Sequence, residues 1–256
     1  MTLLAAQSLT IRIGGKPICR GLDLRLRPGE YWAVLGGNGI GKTTLLHTLA
    51  GLRRADGGGI SVEGTALEQW NRKRLATRLG VLFQDSTDTF PCSVLETVLT
   101  GRYPHTPFWS VAGSDDFERA ARVLAAVELA GMEERQVDTL SGGERRRLAV
   151  AALLMQEPRI WLLDEPSNHL DLRHQVRLLA LMTDRVRAAD GGLLMTLHDV
   201  NLAQRFCTHA LLMIDHENLL PGPFDAVVNE GNLERLYRCP VRCVADREGR
   251  RFYYAA

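Results

Sequence analysis

The chain has 256 residues, 45% of them hydrophobic, with a formal net charge of +1, which is the composition of an ordinary globular protein with a sizeable core. The near-zero charge excludes both a basic field for nonspecific nucleic-acid binding and an acidic one for a cationic partner. No apolar run approaches the roughly 20 residues that span a bilayer, the start MTLLAAQSLT lacks the pattern of a signal peptide, and five scattered cysteines argue against a disulfide framework, so a cytosolic location is expected.

Leu22, Leu24 and Leu26 alternate with Asp23, Arg25 and Arg27, the period of a half-solvated strand, and Pro28–Gly29 then makes a turn. Tyr31 to Leu35 is a continuous apolar strand running into GGNGIGKTT, Gly36 to Thr44, after which Leu45, Leu46, Leu49 and Leu52 form a helical stripe. Strand, then G-x-x-x-x-G-K-T, then helix is the context that a phosphate-binding loop requires. Gly36, Gly39 and Gly41 let the backbone turn tightly, so that the amides of Gly37, Asn38, Ile40 and their neighbours converge on phosphate oxygens at the positive end of a helix. Lys42 would reach the β- and γ-phosphates, Thr43 would offer a hydroxyl to Mg²⁺, and Thr44 closes the loop.

Gly57 to Gly59 break the chain, Ile60 to Glu63 reads as a short strand, and Trp70 to Leu79 is basic and helix-compatible. Leu79 to Phe83 is a buried strand closed by Gln84, an amide able to meet a metal and an attacking water, and by the polar run Asp85 to Thr89. From Pro91 to Gln136 the pattern turns helical: Val94, Val98 and Leu99 repeat at helical spacing, as do Phe117, Ala120, Ala121, Leu124 and Val127, on either side of a turn-rich segment from Gly101 to Asp116. No strand is expected there before Ile160, so this region reads as a helical insertion in an α/β core.

The stretch from Leu140 to Asp171 organises the rest. Ser141, Gly142 and Gly143 precede a helix in which Leu148, Ala151, Ala152 and Met155 share a face, and a helix N-terminus attracts phosphate. Arg145, Arg146 and Arg147 read as a solvated helix face. Ile160 to Leu163 is a buried strand ending in Asp164 and Glu165, which suggests a metal and a water. Beyond Asp171, Val176, Leu179, Met182 and Val186 mark another helix, ended by Gly191 and Gly192. Leu193 to Leu197 is a strand finishing at His198, and Ala210 to Ile214 is a further one, so Gln84, Asp164 and His198 each end a strand. The tail holds a turn at Pro221 to Pro223, a helix near Leu233 to Tyr237 and a strand pair at Val241 to Val244 and Arg251 to Tyr254. Cys239 and Cys243 are a close pair without the further ligands of a metal site.

Together these motifs resemble the nucleotide-binding subunits of ABC transporters. GGNGIGKTT is similar to the Walker A loop, Gln84 to the Q-loop glutamine, LSGGE to the signature, WLLDE to Walker B with its glutamate, SNHLD to the D-loop, and His198 to the switch histidine. The resemblance implies an ABC ATPase fold: a RecA-like P-loop NTPase core with an antiparallel β subdomain and a helical insertion. The whole of 1–256 would be one nucleotide-binding domain, 1–89 and 160–256 forming the core and about 90–159 the helical subdomain.

FPCSVLETVLTGRYPH, from Phe90 to His105, is similar to the segment found in importers of ferric siderophores, haem and cobalamin, with cobalamin slightly ahead. The family implies ATP and Mg²⁺ as cofactors and a head-to-tail homodimer in which Ser141, Gly142 and Gly143 act on the partner's ATP and Asp171 links the two sites. It also implies two integral membrane permease subunits, a substrate-binding protein acting indirectly, no nucleic acid, and a peripheral location on the cytoplasmic face of the inner membrane. Thr43, Gln84 and Asp164 would hold the metal, Glu165 would orient or deprotonate water, and His198 would sense the γ-phosphate.

Three positions depart from the family. Ile13 stands where an adenine-stacking aromatic is usual, which forgoes roughly 1 kcal/mol of stacking. Glu144 and Arg146 stand where glutamines are common, and Glu144 remains able to cap the helix. A rival is a soluble ABC ATPase acting on ribosomes or DNA, since DEPSNHLD resembles the DEPTNHLD of translation factors, but those chains hold two cassettes and a charged linker. A non-catalytic nucleotide sensor is disfavoured because Glu165 and His198 are both in place.

Overall fold

The computed structural model describes residues 1–84, 91–107 and 112–256. In chain order it runs β1 (Leu4–Ile13), β2 (Lys16–Leu26), β3 (Tyr31–Gly36), α1 (Lys42–Leu49), β4 (Gly57–Val62), β5 (Thr65–Ala66), α2 (Arg72–Ala76) and β6 (Leu79–Leu82). There follow α3 (Val94–Thr100), α4 (Ser114–Ala126), α5 (Gly142–Gln156), β7 (Ile160–Leu163), α6 (Leu172–Ala188) and β8 (Gly192–Thr196). The chain closes with α7 (Val200–Phe206), β9 (His209–Met213), β10 (Leu219–Pro223), α8 (Phe224–Val227), α9 (Glu230–Tyr237), β11 (Val241–Ala245) and β12 (Arg251–Ala255). Two units emerge, one of Met1–Gln69 with Gly191–Ala256, the other of Trp70–Asp190.

In the first unit an antiparallel sheet has the order β2-β1-β4-β5, and Leu22, Leu24 and Leu26 of β2 are buried as their alternation predicts. A second sheet carries β10-β9-β3-β8, with β3 parallel to both neighbours and all six of its residues buried. A strand covered on both faces reads as an uninterrupted apolar run, which is why YWAVLG does. Strand β1 lacks such a signal, because Ser8 adopts a left-handed φ of 46° and shifts the register between Ala6 and Leu9.

Three expectations in this unit change. Gly57–Gly59 do not break the chain but open β4. Gly58, at φ +77°, sits in a bulge against β1, where a Cβ would lie 2.4 Å from the carbonyl oxygens of Gln7 and Ser8. Leu52 is not on the α1 stripe: the helix stops at Leu49, Gly51 turns left-handed, and Leu52 is exposed. Pro221 to Pro223 form no turn but lie in β10, antiparallel to β9, at the sheet margin where a residue without an N–H is tolerated.

In the second unit β6 and β7 run parallel, paired from Leu79–Ile160 to Leu82–Leu163. Between Pro91 and Arg159 the described residues form helices and a single bridge, Ser93 to Gln136, as expected of a helical insertion. Helix α3 is closed by a capping box in which Ser93 Oγ accepts from the Glu96 N–H and the Glu96 carboxylate accepts from the Ser93 N–H. The buried stripe of α4 is Ala120, Val123 and Leu124, continued by Val127 just past its end; Phe117 and Ala121, expected on the same stripe, face outward at its edge. Helix α5 packs against α3, α4, β6 and α6 and buries Val150, Leu153 and Leu154 in addition to Leu148, Ala151 and Met155, so it is enclosed on several sides. The polar run Asp85 to Thr89, Phe90, and Phe108 to Val111 within the turn-rich segment lie outside the described residues. Among the described residues, no helix is long and apolar enough to cross a membrane.

Candidate functional site

In the first unit, β3 ends at Gly36 and α1 begins at Lys42, so Gly37 to Gly41 form the loop between a buried strand and a helix. Gly37, Asn38 and Gly39 are exposed, while Ile40, Gly41, Thr43 and Thr44 are half-buried. Gly41 is left-handed, with φ 109°, and a Cβ there would lie 2.1 Å from Ile18 Cγ2. No side chain caps α1 and no acid occupies its first turn, which leaves the positive helix end open towards an anion. The Lys42 ammonium is folded over this loop, donating to the carbonyls of Gly36 at 2.9 Å and Gly37 at 3.2 Å, with the residue 6% exposed.

His198 belongs to the same edge. Val34 pairs with Thr196 in the parallel ladder, so Gly36 and His198 each stand two residues beyond that pair, at the C-terminal ends of β3 and β8. His198 is exposed, and its carbonyl accepts from the Tyr237 hydroxyl at 3.4 Å. Burial pushes the Tyr237 phenol up to about 12, which keeps it protonated as a donor. Asp199 caps α7 immediately after, fixing where the chain turns. Ile13, at the end of β1, is 45% exposed and so offers an aliphatic rather than aromatic surface.

The second unit gathers Gln84, Asp164 and Glu165. Leu82 pairs with Leu163, and the Asp164 N–H donates to the Leu82 carbonyl at 2.8 Å, so all three residues follow directly from the ends of β6 and β7. Gln84 is exposed, whereas Asp164 and Glu165 are buried. Glu165 has a left-handed φ of 47°, a conformation that costs an L-residue roughly 1–2 kcal/mol and is kept only where neighbours impose it. Asn168 supplies part of that hold, its N–H donating to the Glu165 carbonyl at 3.1 Å and its side-chain amide to the Glu165 carboxylate.

The expectation for Arg146 is overturned. It is not on a solvated face but 6% exposed, its guanidinium turned inward onto main-chain carbonyls that include those of Gln84, Asp164 and Glu165. Its neighbours differ: Arg145 is exposed and donates to Leu140, and Arg147 donates to the carbonyls of Val127 and Glu128.

The signature forms the α5 N-terminus. Ser141 Oγ accepts from the Glu144 N–H at 3.3 Å, and the Glu144 carboxylate accepts from the Ser141 N–H at 2.7 Å, so Glu144 does cap the helix and takes up one of the amides expected to face a phosphate. Those bonds hold the Glu144 carboxyl below its ordinary range. Ser141 and Gly142 are exposed, and Gly143 lies against His169, whose carbonyl oxygen would be 3.3 Å from an added Cβ. Asp171 is exposed and caps α6, accepting from the His174 N–H at 2.9 Å and pairing with the imidazole at 2.8 Å, which lowers its carboxyl too.

Sequence reading missed Arg146, Asn168 and Ile18. The first and second lie inside motifs already quoted, but only their partners reveal them. Thr43 in the first unit, and Gln84 and Asp164 in the second, each carry an oxygen donor of the kind that a hard divalent cation takes. All five cysteines are free thiols, and no group of three or more His, Cys, Asp or Glu among the described residues could hold a metal, so Cys239 and Cys243 have no completing ligands there.

Comparison with known proteins matches residues 19–168 to the ABC transporter family model. The chain is 34% identical over 240 residues to the ferric enterobactin transport ATP-binding protein FepC of Escherichia coli, covering 93% of this chain and 89% of that one. It is 39% identical over 241 residues to the hemin import ATP-binding protein HmuV of Streptomyces coelicolor, covering 93% and 84%. A solved structure of a metal-chelate type ABC transporter in an inward-facing conformation superposes with a TM-score of 0.85 at 27% identity, over 100% of this chain and 97% of that one. With a glycine-rich loop opening α1, a carboxylate pair ending β7 and a capped signature on α5, the chain belongs to the ABC transporter family, as one of its ATPase subunits.

Proposed function

We propose that the chain is the ATP-hydrolysing subunit of an importer for a metal chelate, and that ATP binding and hydrolysis drive closure and reopening of a head-to-tail homodimer. The relatives favour the ferric siderophore and haem members of the cargo class expected from Phe90 to His105. The observation that carries the ATPase reading is the Lys42 ammonium centred on the glycine loop at the uncapped start of α1. In this reading the amides from Gly37 to Thr44 and the Lys42 ammonium bind the phosphates, placing negative charge where the helix dipole is positive. Glu165 orients or deprotonates the attacking water, and His198 binds the γ-phosphate. Thr43, Gln84 and Asp164 would hold Mg²⁺, which when bound neutralises charge on the phosphate oxygens.

Ser141, Gly142 and Gly143 serve the ATP of the second copy, and Asp171 connects the two sites. The stretch from Leu140 to Asp171 thus contributes to two half-sites, which makes dimerisation a condition of turnover. Residues 1–256 act as one nucleotide-binding domain, with about 90–159 as the helical subdomain. Two integral membrane permease subunits receive the motion near Gln84 and the helical insertion, at the cytoplasmic face of the inner membrane, and a substrate-binding protein delivers the chelate. Replacing Glu165 by Gln tests the assignment: turnover should cease while ATP stays bound in a closed dimer, and near-normal hydrolysis in that variant would sink it.

A further inference from the structure

Arg146 stands in the signature helix where the family commonly has glutamine, and its surroundings give that exchange a purpose. The side chain extends inward from α5, and its guanidinium donates to a set of main-chain carbonyls. Its Nε donates to Pro166 at 3.2 Å, Nη1 to Phe83 and to Gln84 at 3.4 Å, and Nη2 to Asp164 and to Glu165 at 2.6 Å. Phe83 and Gln84 follow β6, and Asp164 to Pro166 follow β7. One planar fork therefore spans the two strand ends from which the chemistry-bearing side chains project.

The backbone of Glu165 fits this role. Along an extended strand successive carbonyls point to opposite sides, so two consecutive ones do not ordinarily reach a single donor group. The left-handed φ of 47° at Glu165 breaks that alternation, and the carbonyls of Asp164 and Glu165 both meet Nη2. A buried guanidinium needs its donors satisfied, and carbonyls that lose it are left without that donor, so cation and loop hold each other in place. Glutamine, with a single amide NH₂, has two donors for this set of carbonyls, and lysine has a point charge without the fork.

We infer that Arg146 is a positioning residue for ATP hydrolysis, which sets the Glu165 carboxylate in its left-handed site and fixes Gln84 relative to it. The inference rests on the reading of Glu165 as the residue that orients water. The test uses the full chain with Arg146→Met, which keeps an unbranched apolar stem without donors, and Arg146→Gln, which restores two of them. Turnover per folded molecule, affinity for a fluorescent ATP analogue and the urea midpoint are measured for each.

Arg146→Met should lower kcat by about 100-fold, the scale of a catalytic group misplaced by about 1 Å, and Arg146→Gln should recover part of it. Affinity for the nucleotide measured without Mg²⁺ should change less than about twofold in both, because the phosphate loop and Lys42 are groups that Arg146 does not hold. In a Glu165→Gln background, where only the slow residual hydrolysis within a single turnover is left to follow, Arg146→Met should add less than about threefold, since two changes acting through one group are not additive. A lower urea midpoint with kcat unchanged, an equal loss in both backgrounds, or failure of both variants to fold would assign Arg146 to stability alone and overturn the inference. Near-normal hydrolysis by Glu165→Gln itself would instead remove the underlying reading, and the inference with it.

Discussion

Substituting Gly41 by Ala adds one methyl group, and the structure says what it meets. The new Cβ would lie 2.1 Å from Ile18 Cγ2, against the roughly 3.5–4.0 Å at which carbon atoms rest in contact. Gly41 also holds φ at 109°, where an L-residue is strained by about 1–3 kcal/mol. Overpacking of a single methyl adds a further 1–3 kcal/mol or so, giving about 2–6 kcal/mol against the loop conformation that receives phosphate. At 1.4 kcal/mol per factor of ten, ATP affinity should fall by at least about 30-fold.

The two contributions separate experimentally. Ile18→Ala removes Cγ2 and Cδ1, so the double variant Ile18→Ala with Gly41→Ala should regain the overpacking part, about tenfold in affinity, and keep the strain part. Titration of a fluorescent ATP analogue into the four proteins of this cycle measures both. Wild-type affinity in Gly41→Ala, or no recovery in the double variant, would refute the reasoning that backbone conformation and Ile18 together make glycine obligatory at this position.

Stability should fall on acidification in a way that two helix caps explain. The Glu144 and Asp171 carboxyls are both held below their ordinary values of 4.5 and 3.8, first by backbone N–H donors, so each contributes stability above its unfolded value that is lost as the pH falls through the lower folded value. Urea midpoints measured from pH 6 to pH 3 should drop more steeply for the wild type than for the variant carrying Glu144→Gln and Asp171→Asn; parallel curves would contradict the assignment. Thiol reactivity should divide the cysteines, because burial raises the Cys19 thiol to about 11 and pushes Cys207 up further. Under native conditions at pH 8 a thiol reagent should spare both while labelling Cys239 and Cys243, and rapid labelling of Cys19 or Cys207 would place them outside the core.

Most of the site could be read from local order. Gly36 to Thr44 sits between strand and helix as its pattern predicts, His198 falls just past β8, and Asp164 and Glu165 fall just past β7. Each of these placements depends on contiguous residues, where an uninterrupted apolar run or a helical period settles the element and the next polar residue falls at its end. Capping is similarly local, since Ser141 and Glu144 are three residues apart and find each other within one helical turn. Phe117 and Ala121 misled for the opposite reason: periodicity marks a stripe but does not say which edge of it meets a neighbour.

What the amino-acid sequence determined by itself was therefore the kind of chemistry: a phosphate loop, a carboxylate pair, and a signature helix with its cap. Tertiary structure alone decided where the run of three arginines points and what it holds. Arg146 meets Phe83, 63 positions earlier, and Pro166, 20 positions later, so nothing in its own neighbourhood distinguishes it from the exposed Arg145. The same holds for Gly58, whose small size matters only because the carbonyls of Gln7 and Ser8 are brought against it. In both places the deciding partner is distant in sequence, and only folding makes it adjacent.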